Sequence, residues 1–285
     1  MAKTVKLNTV FEPVNVEAPD QEKLDFKFLQ RKHFVDIKKT IKRQPVAISI
    51  GEHPYLQNTY PTVFGSYGDF SCLVGPSKSM KTFLKCALVA GYIGGNSVNY
   101  FSEIKGHDTK GKFILDIDTE QSPYHTQRAS KRIMSMVGSN YEYYKPFSLR
   151  EMDAKTRLEF INWLVKESEY SGNIGLMAID GAADLMDNVN DLEAANKITQ
   201  HFMEWTASQN CHLITILHRN FGGAKPTGHL GSSILKKAET VAFVERKDGV
   251  SRITPEYTRN SPFEAFALCV DSNGLPMEVG HGGLL

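Results

Sequence analysis

The chain has 285 residues, with 33 lysines and arginines against 32 aspartates and glutamates, so no global charge excess advertises nucleic acid or a membrane surface. Apolar residues make up 41% and charged residues 23%, the balance of a globular protein with a sizeable core rather than a disordered or fibrous one. Cys72, Cys86, Cys211 and Cys269 lie in apolar runs without a C-x-x-C pair, and read as buried free thiols of a reducing compartment. The N-terminus MAKTVKLNTV lacks the apolar core of a signal peptide, and no run reaches about 18 apolar residues. A cytoplasmic protein without a membrane span is the expectation.

In chain order, residues 1–45 read as an N-terminal arm and a linker helix. Leu24, Phe26, Phe28, Leu29, Phe34, Val35, Ile37 and Ile41 recur at mixed helical spacing, with seven lysines and arginines between Lys27 and Arg43, which predicts an amphipathic helix with a basic face. Residues 46–285 read as one domain. A short strand is expected at 46–50 and loop at 51–69, a stretch rich in Gly, Pro and Tyr. Strands then alternate with helices: strand 70–74, helix 81–93, strand 112–118 (KFILDID), a helix from the Ser122-Pro123 start to about Val137, helix 152–169, strand 174–180 (IGLMAID), helix 192–208, strand 212–217 (HLITIL) and a short helix 232–239. Such alternation predicts an α/β fold with a mainly parallel sheet covered by helices on both faces. After Val241 the pattern turns antiparallel, with strands near 241–245, 251–257 and 263–270 and a hairpin signal at Asn273-Gly274.

The segment FSCLVGPSKSMKT carries the first chemistry. An apolar strand runs into a loop of small residues, then Lys-Thr, then an apolar helix, the context that a phosphate loop of Walker A type requires. Backbone N–H groups of Gly75, Pro76, Ser77, Lys78, Ser79, Met80, Lys81 and Thr82 (Pro76 excepted, which has none) and the helix N-terminus would cradle the phosphates of ATP. Lys81 would meet the β and γ phosphates and the Thr82 hydroxyl a Mg²⁺ ion. The pattern departs once, with Met80 where glycine is expected.

Hydrolysis also needs a carboxylate to hold the metal and a group to activate water. The buried strand IGLMAID ends in Asp180, a Walker B form expected to hold Mg²⁺. The strand KFILDID ends just before Thr119-Glu120, and Glu120 is the expected general base, since ligands of open α/β sheets bind beyond strand C-termini. Asp116 and Asp118 read as polar strand-end or capping residues. The strand HLITIL ends at His218-Arg219, which places His218 where a γ-phosphate sensor would stand.

Together these pieces resemble the RecA-like P-loop ATPases, particularly the DnaB/RepA-type hexameric helicase branch, over residues 46–275. The stretch 65–75 is similar to the family's lead into the phosphate loop, Asp118-Thr119-Glu120 to its catalytic glutamate, and 231–245 to its short helix and strand. Thr258-Arg259-Asn260-Ser261-Pro262 is similar to its R-N-G-P turn. The resemblance implies that Arg259 is an arginine finger completing a neighbour's site in a homo-oligomer, with a hexameric ring favoured. The family's companion lysine is absent, Tyr257 standing there, and Arg246 or Lys247 would substitute. With only about 45 residues before the core, the family's primase-interacting domain has no room, and the resemblance points to a phage, plasmid or mobile-element protein.

In RecA-like assemblies the loops after the Walker B and sensor strands face DNA. The first here is acidic (Asp184, Asp187, Asp191), whereas the second is glycine-rich and carries Arg219, Lys225 and His229, the expected contacts to single-stranded DNA. Three functions stay open at this stage: a single-stranded-DNA-dependent ATPase or helicase, a phage-type recombination or annealing ATPase, and a non-motor ATP switch. GTP is disfavoured, because Asn196-Lys197-Ile198-Thr199 lacks the aspartate of N-K-x-D.

Overall fold

The computed structural model describes residues 25–219 and 228–279, in two units, 1–43 and 44–285. In the first unit the helix α1 spans Phe26–His33, eight residues rather than the longer helix expected across 21–43. Asp25 Oδ1 caps it, accepting from the N–H groups of Lys27 and Phe28 at 3.0 Å, and Arg31, Lys32 and His33 complement its C-terminal end. It stops at Phe34, whose backbone is extended. The apolar residues beyond it, Phe34, Val35, Ile37 and Ile41, are all exposed, so no buried stripe rewards a longer helix.

The second unit begins with a small antiparallel sheet. β1 (Val46–Tyr55) and β2 (Asn58–Ser66) form a hairpin, and β4 (Ile104–Gly106) pairs with β1 in the order β2-β1-β4. This corrects the loop expected at 51–69. Prolines argue against strands because they cannot donate to a ladder, yet Pro61 lies on the outer strand β2, and Pro54 lies beyond the stretch Ile48–Ile50 that β4 covers.

The main sheet has nine strands in the order β12-β11-β10-β9-β3-β8-β7-β5-β6. Its members are β3 (Phe70–Gly75), β5 (Phe113–Asp118), β6 (Tyr144–Ser148), β7 (Ile174–Asp180), β8 (His212–His218), β9 (Thr240–Lys247), β10 (Val250–Thr258), β11 (Phe266–Val270) and β12 (Pro276–Glu278). From β9 to β6 neighbouring strands run parallel; β9 to β12 are antiparallel, as the hairpin signals predict. β6 has no counterpart in the sequence expectation. Its residues YKPFS include a lysine and a proline, acceptable only because β6 is the sheet's edge.

Two apolar clusters flank the sheet. On one face α2 (Lys81–Ile93) and α3 (Pro123–Val137) pack with β1 against Leu73, Ile114, Leu176 and Ile214. On the other face α4 (Ala154–Lys166), α5 (Leu192–Gln209) and α6 (Gly228–Lys237) pack against Cys72, Leu115, Met177 and Leu213. Side chains alternate along each strand. Ile114 and Leu176 therefore share the α2 face with Asp116, Asp118 and Asp180, all three of which are buried. Among the described residues no helix is long and apolar enough to cross a membrane. Cys72, Cys86 and Cys211 are buried free thiols; Cys269 is free but partly exposed, a correction to the uniform burial expected.

Candidate functional site

Strand register brings the chemistry to one edge. Gly75 lies opposite His218 and Asp118 opposite Asp180, so four parallel strands end together. Between β3 and α2 the chain turns through Lys78 at φ 63° and Met80 at φ 73°, both left-handed. A side chain at Met80 costs about 1–2 kcal/mol there, which explains why the motif prefers glycine. Met80 is half-buried against the α2-side core, and that packing offsets part of the cost. At Gly75 the constraint is space. A Cβ would stand 2.3 Å from the Val244 carbonyl oxygen and 2.6 Å from Ser79 Oγ. The first obstacle is backbone of the adjoining strand and cannot rotate away. Gly75→Ala is accordingly expected to destabilise the chain by about 1–3 kcal/mol, read by denaturant melts, with a parallel loss of nucleotide affinity.

Lys81, the first residue of α2, is buried. Its Nζ donates to the carbonyl oxygens of Gly75 (2.9 Å) and Pro76 (2.7 Å) and lies 3.3 Å from His218 Nδ1. His218 Nε2 lies 3.2 Å from Glu120 Oε1. With Lys81 as an ammonium donor, His218 accepts at Nδ1 and donates from Nε2, so one imidazole links the loop lysine to the strand-end glutamate. The His218 hydrogen bond holds the Glu120 carboxyl below its ordinary range, against burial and with help from Lys81. Burial lowers the Lys81 ammonium, while Asp180 and Glu120 work to raise it. Thr82 Oγ1 donates to Asp180 Oδ2 at 2.9 Å. Burial raises the Asp180 carboxyl, partly offset by Lys85. Asp118 accepts from the N–H groups of Glu120 (3.1 Å) and Gln121 (2.8 Å), the capping role expected of it, and so fixes the turn that carries Glu120.

A cleft of about 520 Å³ joins these groups. Its walls also include Arg128 and Arg132 of α3 and Arg246 at the end of β9. Arg128 and Arg132 were not expected here. Their four-residue spacing on the helix after Glu120 is a signal visible in the sequence only once that helix is placed beside the loop. Arg132 Cζ sits 4.0 Å from the Phe83 ring centroid, and its Nε donates to the Gly274 carbonyl.

Among the described residues, the remaining expected ones do not line the cleft. Arg259 is at the opposite edge, since Thr258 pairs with Thr240 beside the start of β3. It is bonded to Asp69 (2.7 Å) and to the Lys237 carbonyl, and its N–H donates to the Glu239 carbonyl. Arg219 pairs with Glu245 and lies over the Phe243 ring, while its N–H donates to the Gly75 carbonyl at 3.2 Å, so it buttresses the loop's flank. His229 is exposed on α6, and Lys225 lies outside the described residues. Asp184 of the acidic loop accepts from Thr119 Oγ1 at 2.8 Å.

A family model described as an AAA domain matches residues 42–224, the stretch that holds the loop, Glu120, Asp180 and His218. The chain belongs to this AAA-domain family. The match ends before β9, so Arg246 and Arg259 lie beyond it. No curated protein matches the chain. Among solved structures the AAA-domain chain is similar to the crystal structure of the RadB recombinase, at 17% identity and a TM-score of 0.50, over 76% of this chain and 93% of that one. That likeness concerns the fold, which is RecA-like.

Proposed function

We propose that this AAA-domain protein binds ATP with Mg²⁺ and hydrolyses it as an oligomeric motor on single-stranded DNA, in the manner of the DnaB/RepA-type helicases of phages, plasmids and mobile elements. The observation that carries the reading is the Lys81–His218–Glu120 chain beside the Thr82–Asp180 pair at the sheet edge. The residues present suit a polyphosphate. The buried Lys81 ammonium stands at the N-terminus of a 13-residue helix, and its three hydrogen-bond partners are two carbonyls and an imidazole, none of them anionic. Lys78, Lys81, Arg128, Arg132 and Arg246 outnumber Glu120 and Asp180 around the cleft, so positive charge is in excess where the phosphates would lie.

They also suit Mg²⁺, which is commonly held by one or two carboxylates together with substrate phosphates rather than by an all-protein cage. Asp180 would supply one such carboxylate, with the Thr82 hydroxyl 2.9 Å from it as a further oxygen. When bound, Mg²⁺ would neutralise charge on the phosphoryl oxygens. In this reading Lys81 binds the β and γ phosphates, and Glu120, kept ionised, takes the proton of the attacking water. His218 reports the state of the phosphate end to Glu120 and to the loop that follows β8. Arg259 serves a neighbouring subunit. Lys225 and His229 meet the DNA backbone; Arg219 joins them only by exchanging Glu245 for a phosphate.

The test is the ATPase rate with and without single-stranded DNA, read beside particle symmetry. Stimulation in a closed ring, with strand separation, supports the helicase. Turnover indifferent to DNA, in a wild-type ring that separates no strands, refutes it. The likeness to a recombinase fold favours a second reading, a recombination or annealing ATPase, for which filaments and strand annealing are the expected results.

A further inference from the structure

Beneath the phosphate loop lies a charged layer with no assigned role. Lys85, one turn after Lys81 on α2, is 1% exposed, and its Nζ lies 2.8 Å from Asp116 Oδ1 and 3.7 Å from Asp180 Oδ2. Asp116 Oδ2 accepts from the Tyr144 hydroxyl at 2.6 Å, and that hydroxyl is 3.2 Å from Ser130 Oγ. Burial alone would depress the Lys85 ammonium; Asp116 and Asp180 more than offset this and hold it well above the usual lysine range. Lys85 thus sits between buried carboxylates on two adjacent strands.

The arrangement treats the two oxygens of Asp180 differently. Oδ2 is approached from α2 twice, by the Thr82 hydroxyl at 2.9 Å and by Lys85 at 3.7 Å, whereas Oδ1 takes no hydrogen bond among the described residues. A carboxylate tethered on one oxygen by groups three residues apart on a rigid helix has its torsion fixed. Asp116 and Tyr144 anchor the lysine that does the tethering. A lysine needed only to neutralise Asp116 has no reason to be shared with the next strand.

We propose that Lys85 is a positioning residue for the divalent cation: it pins Asp180 Oδ2 toward Thr82 and so reserves Oδ1 for the hydrated metal. The inference rests on the reading of Asp180 and Thr82 as the Mg²⁺ pair. Deleting Lys85 alone would strand the Asp116 charge, so these two are neutralised together, while Asp180 keeps its Thr82 hydrogen bond. In Lys85→Met/Asp116→Asn the stem volume is kept and Tyr144 retains an acceptor. This variant is expected to fold, melting below wild type because Asp180 loses the lysine that offsets its burial, and to bind ATP in EDTA with unchanged affinity. Its affinity for Mn²⁺ in the ATP complex, measured by electron paramagnetic resonance, is expected to fall about tenfold or more, with the Mg²⁺ concentration for half-maximal turnover rising in parallel. A folded variant whose Mn²⁺ affinity stays within twofold of wild type overturns the proposal while leaving the nucleotide reading intact. Wild type that binds no Mn²⁺ with ATP overturns that reading itself. Should the double variant not fold, Lys85→Met/Asp116→Leu/Tyr144→Phe replaces these three side chains by apolar groups and is read the same way. Loss of folding in both assigns Lys85 to the core and ends the proposal.

Discussion

Glu120→Gln is expected to keep ATP affinity close to wild type and to lower turnover by roughly 10²–10⁴-fold, the range over which a positioned general base contributes. The amide has the same shape and can still accept from His218 Nε2, so the cleft and the imidazole link survive; only the capacity to take a proton is lost. Binding by fluorescent nucleotide titration and turnover by phosphate release separate the two effects. Normal turnover in the variant sinks the assignment. A pH profile adds a signed check. Because the hydrogen bond from His218 holds the Glu120 carboxyl below its ordinary range, the base form persists into acid. Turnover that depends on Glu120 should therefore fall only below the ordinary glutamate value of about 4.3. The stability contributed by this group follows the same sense, present above the unfolded-state value and lost as pH drops through the depressed one.

The parts of the site that were legible in the sequence are those whose residue types are set by local geometry. A loop that leaves β3 tight against the Val244 carbonyl needs Gly75, and a fully buried parallel strand reads as the run IGLMAI before it ends in Asp180. What stayed illegible depends on partners distant in sequence. The hairpin β1–β2 was hidden by prolines that are harmless only because of where the neighbouring strands stop. Lys85 reads as one polar residue in an apolar helix until β5 and β7 place Asp116 and Asp180 beneath it. Arg219 belongs by sequence to a glycine-rich loop, yet it folds back on Glu245, a residue 26 positions away. Periodicity reports which face a residue occupies, and is silent about which charge lies across from it.

Arg259→Ala is expected to reduce turnover by roughly 10³-fold or more in the assembled protein, the scale of an arginine finger, and to leave nucleotide affinity unchanged in dilute subunits. Geometry requires that any such action be in trans. Arg259 follows a residue paired beside the start of β3, while the phosphate loop follows its end, and a six-residue strand separates those points by about 17 Å. No arginine side chain spans that distance within its own subunit. Mixing provides the decisive measurement. Neither Arg259→Ala nor Lys81→Ala subunits should turn over alone, but in mixed assemblies an intact Lys81 site can face an intact Arg259. Activity should then return to roughly a quarter of wild type at equal random mixing in a head-to-tail ring. No recovery, or equal loss in isolated subunits, removes Arg259 from the chemistry. A structural contribution is sorted out by Asp69→Asn. Arg259 also bonds Asp69 and the Lys237 carbonyl, so Arg259→Ala leaves Asp69 without that ion pair. Asp69→Asn removes the same pair while sparing the guanidinium, and it should share the stability loss of Arg259→Ala without the loss of turnover.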